Sequence, residues 1–555
     1  MLFKNIFYKN INKMILGIIF DFDNTLYDYE TLNNLSLNKL FENISIDFVL
    51  DINKIKNIYK KINKNIKESN NCSNKFNKSI YIKKLLEELN ISLTYYNKYF
   101  NLYNNEFNNN FKLYDYVLDF FKLINKYNIR IGILSNNIFI QQYDKLKLSG
   151  LLEYIYIIQT TDECGEEKPN LNTYLNIIHK LNLNCENIAY VGDSYEHDII
   201  PTLELKMLPF HFIKNNLFIL KNKYFEFGDF KDLYIFFENY FKTIDELIFL
   251  SKYFGQSNLN VQGPGGNISI KLNDIIFIKS SGAVLGNISY TEGYCLSDNT
   301  MCKKILENGK ELELKNTKLF GYKIPSMETF FHSFMNKYTV HIHFTLSNIF
   351  FCSNKDIILE NFKFKYEIID YIPPGLLLSI NIKSKYNPET YIYFLKNHGL
   401  IITHNNINDI LIIYNYIYHY FNNLFNNKFI NEFNTFLINK IFYEKKNKSI
   451  IVKYVDYPFE YLDEIKYCFP DLAIFIEKIK IIKSFEDLND NLDNYNIIII
   501  DKKTYICGEN LTKVYYVIEL LEKYKILCDY SYKELNDIEN IIFLQNMEQE
   551  KFRKL

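Results

Sequence analysis

The chain has 555 residues, too many for one hydrophobic core, so length alone points to two to four domains. Its 64 basic and 65 acidic residues leave a net charge of −1, which gives no support to a nucleic-acid groove or an anionic membrane surface as partner. The nine cysteines include no CxxC pair, which excludes a disulfide framework or a cysteine metal knuckle and fits a reducing cytoplasm, and no apolar stretch reaches the roughly 18 residues of a membrane span.

Taken in chain order, residues 1–13 are basic and aromatic, and the apolar run Ile15–Phe20 is too short for a signal core. It reads as a strand that ends in Asp21-Phe22-Asp23-Asn24-Thr25-Leu26, with two carboxylates at a strand's carboxyl end, where open α/β sheets keep their active sites. From Asp28 to about Asn110 the pattern is helical, as in Tyr81-Ile82-Lys83-Lys84-Leu85-Leu86. Ile131-Gly132-Ile133-Leu134 is a second apolar strand, ending in Ser135, and Lys168-Pro169 offers a cation. Ala189-Tyr190-Val191-Gly192 is a third strand, ending in Asp193, with Asp198 five residues on.

Together, DxDxTL, the strand-end serine, the KP lysine and GDSxxxD resemble the haloacid dehalogenase superfamily of phosphohydrolases over residues 15 to about 235. The resemblance implies that Asp21 is a nucleophile forming an aspartyl-phosphate, while Asp23 protonates the leaving oxygen and then activates water. It implies that Ser135 and Lys168 hold the phosphoryl oxygens, and that Asp21, the Asp23 carbonyl and Asp193 coordinate Mg²⁺, with Asp198 as support or a second metal contact. An acid at position 23 favours the phosphatase branch over the dehalogenases. The helical stretch matches the family's cap, which closes over the site and reads the leaving group.

Short apolar strands then finish the first domain, an aromatic-rich connection follows at Asp229–Tyr240, and a helix is expected over Ile244–Phe254. Gln262-Gly263-Pro264-Gly265-Gly266-Asn267 is a glycine cluster in a chain with only 18 Gly, and the strand Asp274–Lys279 leads to Ser280-Ser281-Gly282. Small residues with free N–H groups suit a phosphate. Ser326 caps an expected helix start at Met327, which sets Glu328 and His332 four apart on one face. Tyr338–Phe344 has strand composition, so His341 and His343 share a face, and His398 stands at the mouth of the apolar strand that follows Gly399. Three histidines and one open position make the arrangement of a catalytic zinc. His404 and His419 lack this paired geometry and read as structural.

GPGGNIS, KSSG, PSMETFFH, HIH and NHG, in this order, resemble the class II (zinc-dependent) aldolase family, which also holds adducin heads, pentulose-phosphate 4-epimerases and sugar-phosphate dehydratases. The resemblance spans about 240–425. It implies that His341, His343 and His398 ligate Zn²⁺, that Glu328 is the general acid/base, and that Asn267 and Ser281, with Gly266, Gly282 and Ser326 beside them, bind a substrate phosphate. Adducin-type heads lack the metal histidines and this chain has all three. The family's placement of its site between subunits implies a homo-oligomer.

From about 430 the pattern stays α/β, with strands expected at Ser449–Tyr454, Leu472–Phe475 and Ile497–Asp501 and a helix at Leu511–Ile526. This tail resembles the extension on the aldolase half of bifunctional aldolase/short-chain dehydrogenases, but no glycine fingerprint of a dinucleotide site follows.

The expectation is therefore an α/β chain in three parts. Residues 1–235 form a Rossmann-like phosphohydrolase domain with a cap at 29–110, 236–428 a zinc domain, and 429–555 an α/β extension. The function expected is a cytoplasmic, bifunctional enzyme of sugar phosphates, using Mg²⁺ for phosphate ester hydrolysis and Zn²⁺ for aldol cleavage or condensation. Epimerisation, dehydration and a non-catalytic adducin-like head stay open for the zinc domain.

Overall fold

The structure, a computed structural model, describes residues 15–69, 73–257, 259–261, 264–321, 323–353 and 359–424, together with strands at 451–455, 479–482, 497–500 and 503–508. Two compact units divide the chain between Lys242 and Thr243, apart from the short segments Cys295–Asp298 and Thr317–Lys323, which group with the first.

The first unit is built on short, wholly apolar runs that bury both faces, the pattern of a parallel sheet. Its strands are β1 Gly17–Phe20, β2 Arg130–Ser135, β3 Ile157–Thr160, β4 Ile188–Gly192, β5 Leu208–Phe212, β6 Ile219–Lys221 and β7 Tyr224–Phe227, in the order β3-β2-β1-β4-β5-β7-β6. All pair in parallel except β6 with β7. Because β1 is hydrogen-bonded to β2 on one side and β4 on the other, with Gly17 level with Arg130 and Ile188, three strands deliver their carboxyl ends to one place. Ile19, Leu134, Tyr174, Ile177 and Tyr190 fill the core beside them. Each such side chain contributes roughly 1.5–3 kcal/mol by leaving water.

Between β1 and β2 stand four helices, α1 Tyr29–Phe48, α2 Ile52–Ser69, α3 Lys78–Glu88 and α4 Tyr96–Asn110. Asp28 caps α1 by accepting from the Thr31 N–H, and Asn77 caps α3 through Ser79. Ile55, Tyr59, Ile62 and Ile66 on α2 recur at helical spacing and are all buried, which holds the block together as an amphipathic packing unit. Two further helices, α5 Val117–Lys126 and α6 Phe139–Ser149, flank β2 in sequence.

A largely antiparallel sheet is formed by β8 Asn267–Leu272, β9 Ile275–Lys279, β10 Tyr294–Asp298, β11 Lys318–Phe320, β12 Tyr338–Ile342, β13 Tyr366–Ile369, β14 Ile392–Leu395 and β15 Gly399–His404. The order is β11-β10-β9-β8-β12-β15-β14-β13. β12 is central, and its register sets His341 opposite Asn267 on one side and Ile401 on the other.

Two local expectations change. The stretch from Asp229 to Tyr240 is no open connection, because one helix runs unbroken through Phe230–Gly255. Phe230, Leu233, Phe237, Tyr240, Ile244, Leu247 and Phe254 are buried at helical spacing along it, and no Pro or Gly interrupts them. The short helix after Ser326 begins at Thr329 rather than Met327, so Glu328 precedes it. Beyond residue 450, β16 Ile451–Val455, β17 Ile479–Ile482, β18 Ile497–Ile500 and β19 Lys503–Gly508 form a sheet in the order β16-β19-β18-β17. The strand expected at Leu472–Phe475 and the helix at Leu511–Ile526 lie outside the described residues. No helix among the described residues is long and apolar enough to cross a membrane.

Candidate active sites

The first site collects at the carboxyl ends of β2, β1 and β4. Asp21, immediately after β1, is fixed by its N–H to the Val191 carbonyl. Lys168 Nζ reaches both Asp21 Oδ1 at 2.6 Å and Asp198 Oδ1 at 2.7 Å, while Thr25 Oγ1 donates to Asp21 Oδ2 at 2.9 Å and Asp193 Oδ1 at 3.1 Å. Asp198 is further held by the Tyr190 hydroxyl and the Ser194 N–H. Gly192 makes this approach possible, since a Cβ there would lie 2.4 Å from the Asp198 carboxyl carbon.

Asp21, Asp193 and Asp198 each offer an oxygen, all within 4.8 Å of one another. Burial, opposed by Lys168 and reinforced by the charges of Asp198 and Asp193, pushes the Asp21 carboxyl up to about 8. Burial and Asp198 likewise raise Asp193, against Lys168 and Thr25. One ammonium among three carboxylates leaves negative charge uncompensated, and oxygen ligands suit a hard cation, so these residues fit Mg²⁺.

Asp23 takes no part in that cluster through its carboxylate. Lys145 Nζ bonds Asp23 Oδ1 at 2.7 Å, Gln142 Nε2 bonds Oδ2 at 2.8 Å, Asn137 Nδ2 bonds Oδ2 at 3.2 Å, and the Tyr27 hydroxyl donates to Oδ1. Burial would raise this carboxyl, but Lys145 and the bonds from Lys145, Tyr27 and Gln142 outweigh it and hold Asp23 below the ordinary value. Ser135 is buried and accepts from Gln142 at 2.6 Å. Gln142 and Lys145 were not singled out in the sequence. Their only signal is i,i+3 spacing on the helix that follows a strand-end serine.

In the second site β12 and β15 bring three histidines together. One ring nitrogen from each of His341, His343 and His398 lies within 4.8 Å of the others. His341 Nδ1 faces the Leu400 carbonyl at 3.3 Å, which leaves Nε2 as the lone-pair nitrogen, and Nε2 is buried with no hydrogen-bond partner. Gly399 permits the packing, because a Cβ there would sit 2.3 Å from the Ile342 carbonyl oxygen. Burial, aided by the neighbouring His341, pushes His343 down to about 4 and His398 to about 3. Three imidazoles whose ring nitrogens converge, two of them held neutral by burial, are the donor set that zinc takes.

Glu328 stands beside them, Oε1 being 3.3 Å from His341 Nε2 and 3.6 Å from His398 Nε2. Burial would raise its carboxyl, yet His341, His398 and His332 hold it well below the usual range. His332 is buried and turns Nδ1 to Ser269 Oγ at 2.7 Å. Ser326 Oγ accepts the Glu328 N–H at 3.4 Å, which fixes the turn that carries the carboxylate.

The expected phosphate binders divide. Asn267 is fully buried beside His341 in the sheet, and neither of its amide atoms has a partner. Gly266, at φ +69°, turns the chain into β8. Ser281 and Gly282 are exposed, and the Ser281 N–H is taken by the Ile324 carbonyl. The buried hydroxyl without a partner is that of the adjacent Ser280, which the sequence did not distinguish from its neighbour. His404 pairs with Asp409 at 3.2 Å, away from the three-histidine cluster.

Comparison with known proteins finds two families along the chain. A glyceraldehyde 3-phosphate phosphatase of Methanothermobacter thermautotrophicus is 30% identical over 193 residues, 34% of this chain and 80% of that protein. The model of haloacid dehalogenase-like hydrolases matches residues 18–207. The chain belongs to the haloacid dehalogenase-like hydrolases. To that hydrolase unit it joins a domain of the class II aldolase and adducin family, whose model matches residues 245–421. A second glyceraldehyde 3-phosphate phosphatase, from Methanocaldococcus jannaschii, is 25% identical to the hydrolase over 223 residues, 39% of this chain and 90% of its own. The solved class II aldolase domain of a Thermoplasma acidophilum protein is 23% identical and covers 33% of this chain and 93% of its own, with a TM-score of 0.30.

Proposed function

We propose that this hydrolase is a bifunctional enzyme of sugar phosphates, with a Mg²⁺-dependent phosphatase in its first unit and a Zn²⁺-dependent aldolase acting on a ketose phosphate in its second. The observation that carries the reading is the pair of metal-ready clusters, Asp21/Asp193/Asp198 and His341/His343/His398, each with a proton-handling carboxylate beside it. A short sugar phosphate as substrate draws support from the relatives' name, glyceraldehyde 3-phosphate phosphatase.

In the phosphatase, Asp21 attacks phosphorus and carries the phosphoryl group as an acyl phosphate, displacing the alcohol. Lys168, already 2.6 Å from Asp21, neutralises the phosphoryl oxygens, and Ser135 donates its hydroxyl to one of them. Asp23 passes a proton to the leaving oxygen and later takes one from the attacking water. Asp21, Asp193 and Asp198 would hold Mg²⁺, which would supply the charge that lets carboxylates and phosphate share a site.

In the aldolase, His341, His343 and His398 would hold Zn²⁺, which would supply Lewis acidity for the substrate carbonyl. Glu328 moves the proton of the carbon–carbon step, and Asn267, with the orphaned amide atoms, orients the phosphate end. Hydrolysis of a phosphate ester is effectively irreversible and draws a reversible aldol addition toward synthesis.

The test is phosphate release and triose phosphate formation from a panel of sugar phosphates, with Mg²⁺ and Zn²⁺ supplied. Asp21→Asn should abolish the first and spare the second, and Glu328→Gln the reverse. Phosphate release with no carbon–carbon cleavage from any ketose phosphate overturns the aldolase half.

A further inference from the structure

We propose that Lys78 determines specificity in the phosphatase: its ammonium receives a second anionic group, a carboxylate or a second phosphate, carried by the alcohol that leaves Asp21. The proposal rests on the phosphatase reading of the first site and names the substrate class that this site takes.

Lys78 opens α3, in the helical block inserted after β1, whereas Lys145 comes from α6 of the sheet domain. Both ammoniums lie over the same ring, Lys78 Nζ 5.9 Å and Lys145 Nζ 5.0 Å from the centroid of Tyr29. Lys78 also stands 5.2 Å from the Tyr81 centroid, and Lys145 lies 5.7 Å from that of Phe107. Two layers of the unit thus converge on one aromatic wall beside Asp23. An ion pair between Lys75 and Glu167, next to Lys168, ties the helical block down at this point.

The two cations differ in what answers them. Lys145 is neutralised by Asp23 at 2.7 Å. Lys78 has no carboxylate or carbonyl partner among the described residues. The Tyr59 ring lies 6.0 Å from that of Tyr81, its hydroxyl is buried, with the residue 6% exposed, and it too has no hydrogen-bond partner. Burial, with the charges of Lys145 and Lys67, pushes the Lys78 ammonium down to about 8, and Asp23 only partly restores it.

An ordinary surface lysine carries its head out to water along an apolar stem. Here the head is set over tyrosine rings, where an unanswered charge costs free energy unless a ligand brings the counter-charge. On this proposal, with phosphorus at Asp21 and the leaving oxygen at Asp23, the rest of the alcohol is directed toward the Tyr29 ring that Lys78 and Lys145 share. The fitting leaving group therefore bears hydroxyls and an anion, as in a phosphorylated acid or a sugar bisphosphate. The leaving alcohol of glyceraldehyde 3-phosphate is neutral.

The experiment measures kcat and KM of the full chain with Mg²⁺ on four esters: phosphoglycolate and fructose 1,6-bisphosphate, whose leaving groups carry a further anionic group, and glyceraldehyde 3-phosphate and p-nitrophenyl phosphate, whose leaving groups carry none. In Lys78→Met the ratio of kcat/KM for anionic over neutral leaving groups should fall roughly 10- to 100-fold, the worth of one charge-assisted hydrogen bond, and the fall should sit in KM. Lys78→Arg should keep most of the ratio. Whichever anionic ester leads identifies carboxylate or phosphate. A ratio unchanged in Lys78→Met, or an equal loss on all four esters, overturns the assignment. An Asp21→Asn protein that still releases phosphate overturns the phosphatase reading beneath it instead.

Discussion

Lys145 Nζ stands 2.7 Å from Asp23 Oδ1, so the carboxylate expected to handle the leaving group's proton is held ionised by a cation from the neighbouring helix. In Lys145→Met the chief opposing influence on burial disappears, and the Asp23 pKa rises. The protonated form then persists to higher pH, and the acidic limb of the kcat profile should move up with it. A pH–rate series on wild type and variant reads this directly. An unmoved limb removes Asp23 from the rate-limiting proton transfer.

The metal-free cluster of Asp21, Asp193 and Asp198 predicts a pH-dependent response to Mg²⁺. Asp21 is raised from an ordinary 3.8 to about 8, so between those values the folded state binds more protons than the unfolded chain. Stability in chelator should therefore fall as pH rises from 4 to 8. Mg²⁺ removes the penalty, and its stabilisation, about 2.7 kcal/mol at a hundredfold excess over Kd, should be larger at pH 8 than at pH 5. Thermal melts with and without Mg²⁺ at both pH values check the sign.

Lys168 is buried between Asp21 and Asp198, and its pKa is raised because those two carboxylates outweigh desolvation. A raised lysine contributes its stability at every pH below its ordinary value and loses it only in strong alkali. Lys168→Met leaves two buried carboxylates unanswered, at a cost of about 3 kcal/mol. Urea unfolding in chelator should show the loss, and phosphatase activity should vanish with it.

His343 and His398 are lowered to about 4 and about 3, chiefly by burial. The unfolded chain binds protons at its histidines from about pH 6.5 downward, and the folded unit does not until near pH 4. Stability contributed here is complete above 6.5 and declines as pH falls toward 4. Zinc should stay bound at pH 5.5, where free imidazoles are mostly protonated, and leave nearer pH 4. Metal content after dialysis across that range measures it, and His341→Ala should lose the zinc at every pH.

Glu328→Gln keeps the size of the side chain and removes the charge beside three imidazoles. Carbon–carbon cleavage should fall roughly 10²- to 10⁴-fold with zinc content unchanged. A variant that loses its zinc as well would show that the carboxylate holds the site together rather than moving a proton.

The sequence by itself determined the two families, since strand composition, period-two alternation and short motifs are local properties. Asp21 after an apolar run, His341 and His343 two apart on a strand, and His398 before another strand could all be read without a fold. What a local pattern cannot carry is which side chains meet across elements. Lys145 and Gln142 reach Asp23 only because the fold brings α6 to the loop after β1, more than a hundred residues away in sequence. Ser280 rather than Ser281 turns inward because β9 pairs with β8 in one register. The unbroken helix Phe230–Gly255 was hidden for a related reason, as aromatic side chains suit strand and helix alike and only their packing decides. Most of all, Lys78 and Tyr59 are two ordinary residues of a helical insertion, and tertiary folding alone encloses them without partners next to a phosphatase site.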